Sequence, residues 1–264
     1  MDAFAYGNLV DSSTLSGGSW DAAHPLTQLQ LRELAAYAKS STASPADTQF
    51  IIDHGSAKAA QCFAIVAHNI TDPAATITIS RGTTSGGSDV YAGAPVACWP
   101  FAPLDDDRDG AHFPIVVVTP QPTTARYTTI AISTSDRVRI GRPFIGPIFA
   151  PAIGVTRRTN DWLPDFSSVE RTESGADWVT ARPRLRHPGI EYRALSRAEG
   201  SLLQEIQRTH GTTAEVFYLG NIFDRADTQQ HGCLALLRQL SPLESAFFGH
   251  NAVALGFDER GGAP

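Results

Sequence analysis

Hydrophobic and polar residues alternate in short runs through the first half of the chain. Thr48–Asp53 (TQFIID) alternates and meets a turn at His54–Gly55. Cys62–Ile70 (CFAIVAHNI) is a dense apolar run, short enough for a core strand. Ala75–Ser80 (ATITIS) alternates strictly and stops at Arg81–Gly82; Pro114–Thr119 (PIVVVT) and Tyr127–Ser133 (YTTIAIS) follow. A period of two over such lengths is strand spacing, and β-branched residues fit a pleated, half-buried surface. Clusters of Gly, Pro, Asp and Asn separate the runs, so together they predict a sandwich or jelly roll. The polar stretches Thr83–Ala94 and Phe101–Gly110 read as surface loops. Leu26–Lys39 fits a short amphipathic helix poorly, and a helical turn followed by a strand serves equally well.

The second half has a different rhythm. Ile140–Pro151 (IGRPFIGPIFAP) reads as a last strand of one domain leading into the next. Arg182–Leu195 is extended, with Pro183 and Pro188 favouring edge positions. A helix follows: Ser196 caps it, Glu199 completes a capping box, Ala198, Leu202, Leu203 and Ile206 form its stripe, and Gly211 ends it. Glu215–Leu219, Cys233–Leu240 and Ala252–Phe257 are further strand candidates. The expected fold is therefore mainly β: an N-terminal β-sandwich over residues 1–140, and over residues 141–264 one helix among several antiparallel strands, an α+β layer.

Composition narrows the function. The 264 residues carry a net charge of −6 and are 42% hydrophobic, enough to bury real cores. That acidity argues against broad nucleic-acid binding, which needs a basic footprint. Residues 1–140 hold 13 acidic and 8 basic side chains, and residues 141–264 hold 14 and 13, so an acidic partner would favour the second half slightly. Arginine outnumbers lysine 19 to 2, which a GC-rich genome explains best; as a secondary consequence, arginines suit forked pairs at subunit interfaces. Three cysteines, Cys62, Cys98 and Cys233, make an odd number with no C-x-x-C pair and form no disulfide framework; Cys62 and Cys233 lie in apolar runs and read as core. No charged-then-apolar leader opens the chain and no run approaches 18 apolar residues, so neither a signal peptide nor membrane insertion is expected.

The familiar catalytic signatures, G-x-S-x-G, H-E-x-x-H and the glycine-rich phosphate loops, are absent. The eight histidines show no ligand spacing. His68, beside Asn69, is the most site-like, but a hydrogen-bonded structural role fits it better. Asp105, Asp107 and Asp109 alternate before Gly110, as in the first half of a calcium loop, while Val116 stands where a bidentate Glu belongs. Calcium is thus the one candidate cofactor, and a solvated acidic loop the plainer alternative. Arg182, Arg184 and Arg186 share one strand face, which suits a subunit seam or pore wall as well as an ordinary exposed face. Trp20 and Trp99 lie beside loops, where sugar stacking competes with burial. Asp161, Asp165, Glu170 and Glu173 form the nearest acidic cluster to a hydrolase site, in a segment that reads as loop.

Phe50–Ile70 (FIIDHGSAKAAQCFAIVAHNI), preceded by Trp20 and Leu26–Leu29, resembles the discoidin-like or galactose-binding-like jelly roll, in which a strand ending in Asp-x-Gly leads to a buried strand. Arg126–Gly146 looks like the version of that fold found in tail proteins of long-tailed phages, and the second half is similar to the tail-tube type of sandwich, which implies a C-terminal β-sandwich with one flanking helix over residues 141–264. The resemblance implies a non-enzymatic virion component of a tail tip or baseplate, assembled in the host cytoplasm. It would form a homo-oligomeric ring and join the tube to hub or fibres. The alternative is a carbohydrate-binding module that contacts a host surface glycan. No glycan-site residues transfer from the family.

Overall fold

A computed structural model describes residues 2–101, 113–153, 157–162, 167–171, 177–180, 185–247 and 250–261, with backbone alone at 157–162 and 245–247. Strand makes up 50% of the structure and helix 14%, so the molecule is mainly β, as the alternating runs predict. Two compact units divide the chain: Met1–Ala150 with Glu215–Cys233, and Pro151–Ala214 with Leu234–Gly261.

The first unit opens with strand β1 (Asp2–Tyr6), a 3-10 turn at Leu9–Ser12, and β2 (Thr14–Ser16). A second 3-10 turn covers Leu26–Gln30, and β3 (Ala38–Lys39) follows, so Leu26–Lys39 is a helical turn and a strand. Then come β4 (Phe50–His68), β5 (Thr76–Gly82), β6 (Tyr91–Ala92), β7 (Val96–Ala97), β8 (Ile115–Ser133), β9 (Arg139–Gly146) and β10 (Ile148–Phe149). The main sheet runs β3-β9-β4-β8-β5-β6, with β2 on β4 and β7 on β5, and the pairs are antiparallel.

Sequence periodicity splits β4 and β8 into two strands each, but each is one 19-residue strand. Both bend at bulges. The β4–β8 register shifts between Asp53 and Lys58, and again between Ala60 and Cys62. Gly55, at φ +73°, takes a backbone conformation open to glycine at the first shift. Pro120 and Pro122 fall on β8 where the second shift interrupts the ladder, so their missing N–H groups break no pairing. The bulges fold the sheet over itself. Phe50, Ile52 and Ile130 from one half of these strands and Phe63, Ile65 and Ile115 from the other then join one core cluster.

Arg81 satisfies the carbonyls exposed at the bend. It is fully buried, and its guanidinium donates to Lys58 O (2.9 Å), Ala125 O (3.3 Å), Thr123 Oγ1 (2.9 Å) and Thr123 O, while Nε donates to Thr128 Oγ1 (3.1 Å). Five fixed donors suit it to this task.

The second unit begins with β11 (Arg157–Trp162), β12 (Ser168–Arg171), β13 (Asp177–Thr180), β14 (His187–Ser196) and helix α1 (Arg197–His210). The chain then supplies β15 (Glu215–Asn221) and helix α2 (Arg225–His231) to the first unit, where β15 pairs with β1 and β1 with β10. It returns for β16 (Cys233–Leu237), β17 (Glu244–Phe247) and β18 (His250–Glu259). In the second unit β18 pairs with β16, β14 and β17, and β14 pairs with β11. Ile190, Tyr192, Leu195, Leu203, Ile206, Val253, Leu255 and Phe257 are its buried apolar residues on β14, α1 and β18.

Helix α1 has the capping box read from S-x-x-E: Ser196 Oγ accepts from Glu199 N, and the Glu199 carboxylate accepts from Ser196 N. Its buried face is not the expected stripe. Leu203 and Ile206 face inward, but Ala198 and Leu202 are exposed, and Gly200 and Gln207 complete the inner face. A Cβ at residue 200 would lie 2.6 Å from Asn251 Nδ2, so the small glycine sets which side of the helix packs. Strands β11, β12 and β13 and helix α2 escape the sequence reading. Asp161 and Glu170, placed in a loop by their composition, lie on β11 and β12, and α2 is too short and polar to show a stripe.

Candidate functional site

The residues singled out from sequence are placed unevenly. Asp105, Asp107 and Asp109, and likewise Arg182 and Arg184, lie outside the described residues. Among the described residues, no group of three or more His, Cys, Asp or Glu is placed to hold a metal ion, and no helix is long and apolar enough to cross a membrane. Arg186 is engaged within its own unit: its guanidinium meets Glu259 Oε1 at 2.7 Å, and its backbone N donates to Glu259 Oε2 at 2.6 Å. Of the acidic cluster, Glu170 alone has a described side chain, and it is exposed across from Trp178.

His68 has the structural role expected of it. Its Nε2 lies 3.0 Å from Phe113 O, and Ile70 N donates to its Nδ1 at 3.2 Å. Burial lowers its pKa to about 4, so it is neutral at physiological pH. His54 sits between Ser13 Oγ (2.8 Å) and Thr128 Oγ1 (3.0 Å), and burial followed by the nearby Arg81 charge lowers it to about 4 as well. Trp99 is buried beside His68 and Phe101, and Trp20 packs edge-on against Phe50, so both anchor the core. Burial pushes the Cys98 thiol up to about 12 and raises Cys62 further, which leaves neither a ready nucleophile.

The site-like feature lies elsewhere, at the loop end of the first unit. An open cleft of about 710 Å³ is lined by Lys39, Asn69, Thr71, Asp136, Arg137 and Arg139. The volume is in the range of small-ligand sites. The strand ends build it. Asn69 follows β4, and its side chain staples the start of β9: Oδ1 accepts from Arg139 N (2.6 Å) and Nδ2 donates to Arg137 O (2.9 Å). Asp72 braces the neighbouring loop by accepting from Ala74 N (2.8 Å) and Ser135 N (3.0 Å), and these bonds lower its pKa.

The β3–β9 register places Lys39 directly opposite Arg139. Arg139 also lies over the Tyr37 ring, 5.4 Å from its centroid, and Tyr37 stacks on His24 with centroids 4.3 Å apart and planes 18° from parallel. Among the described residues, Lys39, Arg137 and Arg139 form no ion pair with a carboxylate. Three cations and the single lining carboxylate of Asp136 give the cleft a formal charge of +2 on a protein of net charge −6.

The solved structures similar to this chain include sugar-binding modules. A chitosan-binding module from a chitosanase/glucanase of Paenibacillus sp. IK-5 matches at 14% identity and a TM-score of 0.39, over 53% of this chain and 98% of its own. A CBM32 module of a family 31 glycoside hydrolase from Clostridium perfringens matches at 18% identity and 0.36, over 53% and 98%. Another Clostridium perfringens CBM32 module matches at 14% and 0.36, over 53% and 99%. No family model and no curated protein matches the chain. Nothing in these comparisons points to a virus tail.

Sequence reasoning missed the cleft because its residues are far apart in the chain. The sequence marks Asn69 only as the neighbour of His68. A signal was present in the basic pair Arg137 and Arg139 two residues apart, but nothing in the sequence paired it with Lys39.

Proposed function

We propose that this chain is a carbohydrate-binding protein that acts through its first unit and performs no covalent chemistry. The observation that carries the reading is the cleft at the loop end of the sandwich. Its lining is polar and charged, and the cationic groups of Lys39, Arg137 and Arg139 and the Thr71 hydroxyl make no side-chain hydrogen bond or ion pair among the described residues. A rigid β scaffold carrying unspent donors on loops is how a binding module presents a site to a hydroxyl-rich ligand. The resemblance of Phe50–Ile70 to the galactose-binding-like jelly roll agrees with it. The test is a glycan array probed with the purified full chain, followed by calorimetric titration of any hit. Saturable binding of a defined oligosaccharide supports the reading, and an array blank at all concentrations overturns it.

A second reading, a structural subunit that assembles with copies of itself in a virion ring, draws on a separate observation in the second unit. Strands β12 and β13 pair only with each other among the described residues, and Val169, Trp178 and Val179 are 64%, 69% and 61% exposed. A bare two-stranded hairpin is marginal in water, and an exposed Trp with two valines gains from being covered. A second copy covers it in this reading. The native mass of the purified chain decides: a defined oligomer supports assembly, and a monomer at tens of micromolar removes it.

A further inference from the structure

We propose that the cleft of Lys39, Arg137 and Arg139 is selective for acidic sugars, with these cations receiving a carboxylate or sulfate group. The inference rests on the carbohydrate-binding reading and names the ligand class of that same site.

The register of β3 and β9 carries it. Directly opposed residues in an antiparallel pair have Cβ atoms roughly 5 Å apart, and like charges there oppose pairing. Lys39 and Arg139 occupy such a pair, in a contact only two residues long. Arg137 precedes Arg139 by two residues, so a third positive charge adds to the repulsion. Of the nearby carboxylates, Asp72 is spent on two backbone N–H groups, and Asp136 lines the cleft without pairing with any of the three cations among the described residues, so a net positive charge is left over. A fold selected for stability alone would place an acid at one of these positions. Breaking the local rule without compensation in the chain marks a site whose missing partner is an anion.

The cations are also held ready. Arg139 is fixed at its backbone by Asn69 and over the Tyr37–His24 stack at its guanidinium. A planar guanidinium suits a carboxylate or sulfate in forked geometry, and a neighbouring ammonium adds charge without demanding direction. The open cleft leaves room for the rest of a sugar around its acidic group. Nucleic acid would offer phosphate to the same cations, but the chain's overall negative charge repels a long polyanion while leaving a local contact intact.

The experiment is calorimetric titration of the full chain with four probes of similar length: a neutral galacto-oligosaccharide, a uronic acid oligomer, a sulfated galacto-oligosaccharide and a single-stranded oligonucleotide. Wild type is compared with Lys39→Gln and Arg139→Gln. We expect one acidic sugar to bind at least tenfold more tightly than the neutral one, the two acidic arms showing which group is read. Each substitution should weaken that binding about tenfold, the scale of one charge-assisted hydrogen bond. Lys39→Gln should hold or raise the melting temperature, since it relieves repulsion; a purely structural lysine would lower it. Equal affinity for neutral and acidic sugars overturns the selectivity and leaves the carbohydrate reading standing. Tighter binding to the oligonucleotide overturns the ligand class. No binding to any sugar overturns both.

Discussion

At the scale of single residues, buried polar groups make the first unit's stability sensitive to charge. Arg142 and Glu215 are fully buried and joined by two bonds, Nε to Oε2 at 2.9 Å and Nη2 to Oε2 at 2.6 Å. Arg142 also donates to Asp11 and to Leu29 O, so one side chain ties β9 to β15 and to both 3-10 turns. Removing Arg142 leaves the Glu215 carboxylate uncompensated in the interior, and removing Glu215 leaves Arg142 only the partly exposed Asp11. Glu215→Gln should therefore cost about 3 kcal/mol of unfolding free energy, measured by urea denaturation. Arg142→Gln should cost a similar amount, and a change under 1 kcal/mol for either would show the pair to be idle. The second feature is two separate neutral histidines on β4, His54 and His68. Both have folded pKa values near 4, below the 6.5 of a free imidazole. Between those values the unfolded chain binds protons that the folded chain does not, so their stabilising effect is full above pH 6.5 and is lost as pH falls toward 4. The melting temperature should fall across that window. His68→Gln should flatten the fall if Gln keeps the bond to Phe113 O, and an unchanged slope would contradict the assignment.

At the scale of elements, legibility followed periodicity and caps. The α1 capping box was readable because Ser196 and Glu199 act locally, three residues apart. The strand cores of β4, β5 and β8 were readable because alternation survives in a half-buried strand. Their merging was not, because a bulge keeps the chain extended while destroying the period that marks it. The β12–β13 hairpin was illegible for the opposite reason: Ser168–Arg171 and Asp177–Thr180 bury neither face, so no period of two was imposed on them. That exposure has a measurable consequence under the assembly reading. Trp178→Ser should reduce any oligomer seen by light scattering to a smaller species without lowering the melting temperature of the monomer. If oligomer size is indifferent to Trp178, the hairpin is not the joint.

At the scale of the whole molecule, chain order and spatial order differ. The sequence divides naturally near residue 140, whereas the first compact unit takes in Glu215–Cys233 as well. Strand β15 is one more apolar run when read along the chain, and only its pairing with β1 assigns it. The cleft follows the same logic: Lys39, Asn69 and Arg139 are brought together by the β3–β9 and β4–β9 ladders, contacts that no local pattern encodes. The most direct test of the account is titration of the purified full chain with acidic and neutral oligosaccharides of matched length at physiological salt. Saturable binding of an acidic sugar is expected, weakening as salt is raised and about tenfold on Arg139→Gln. Absence of binding to every sugar, or binding that ignores both salt and Arg139, would contradict it.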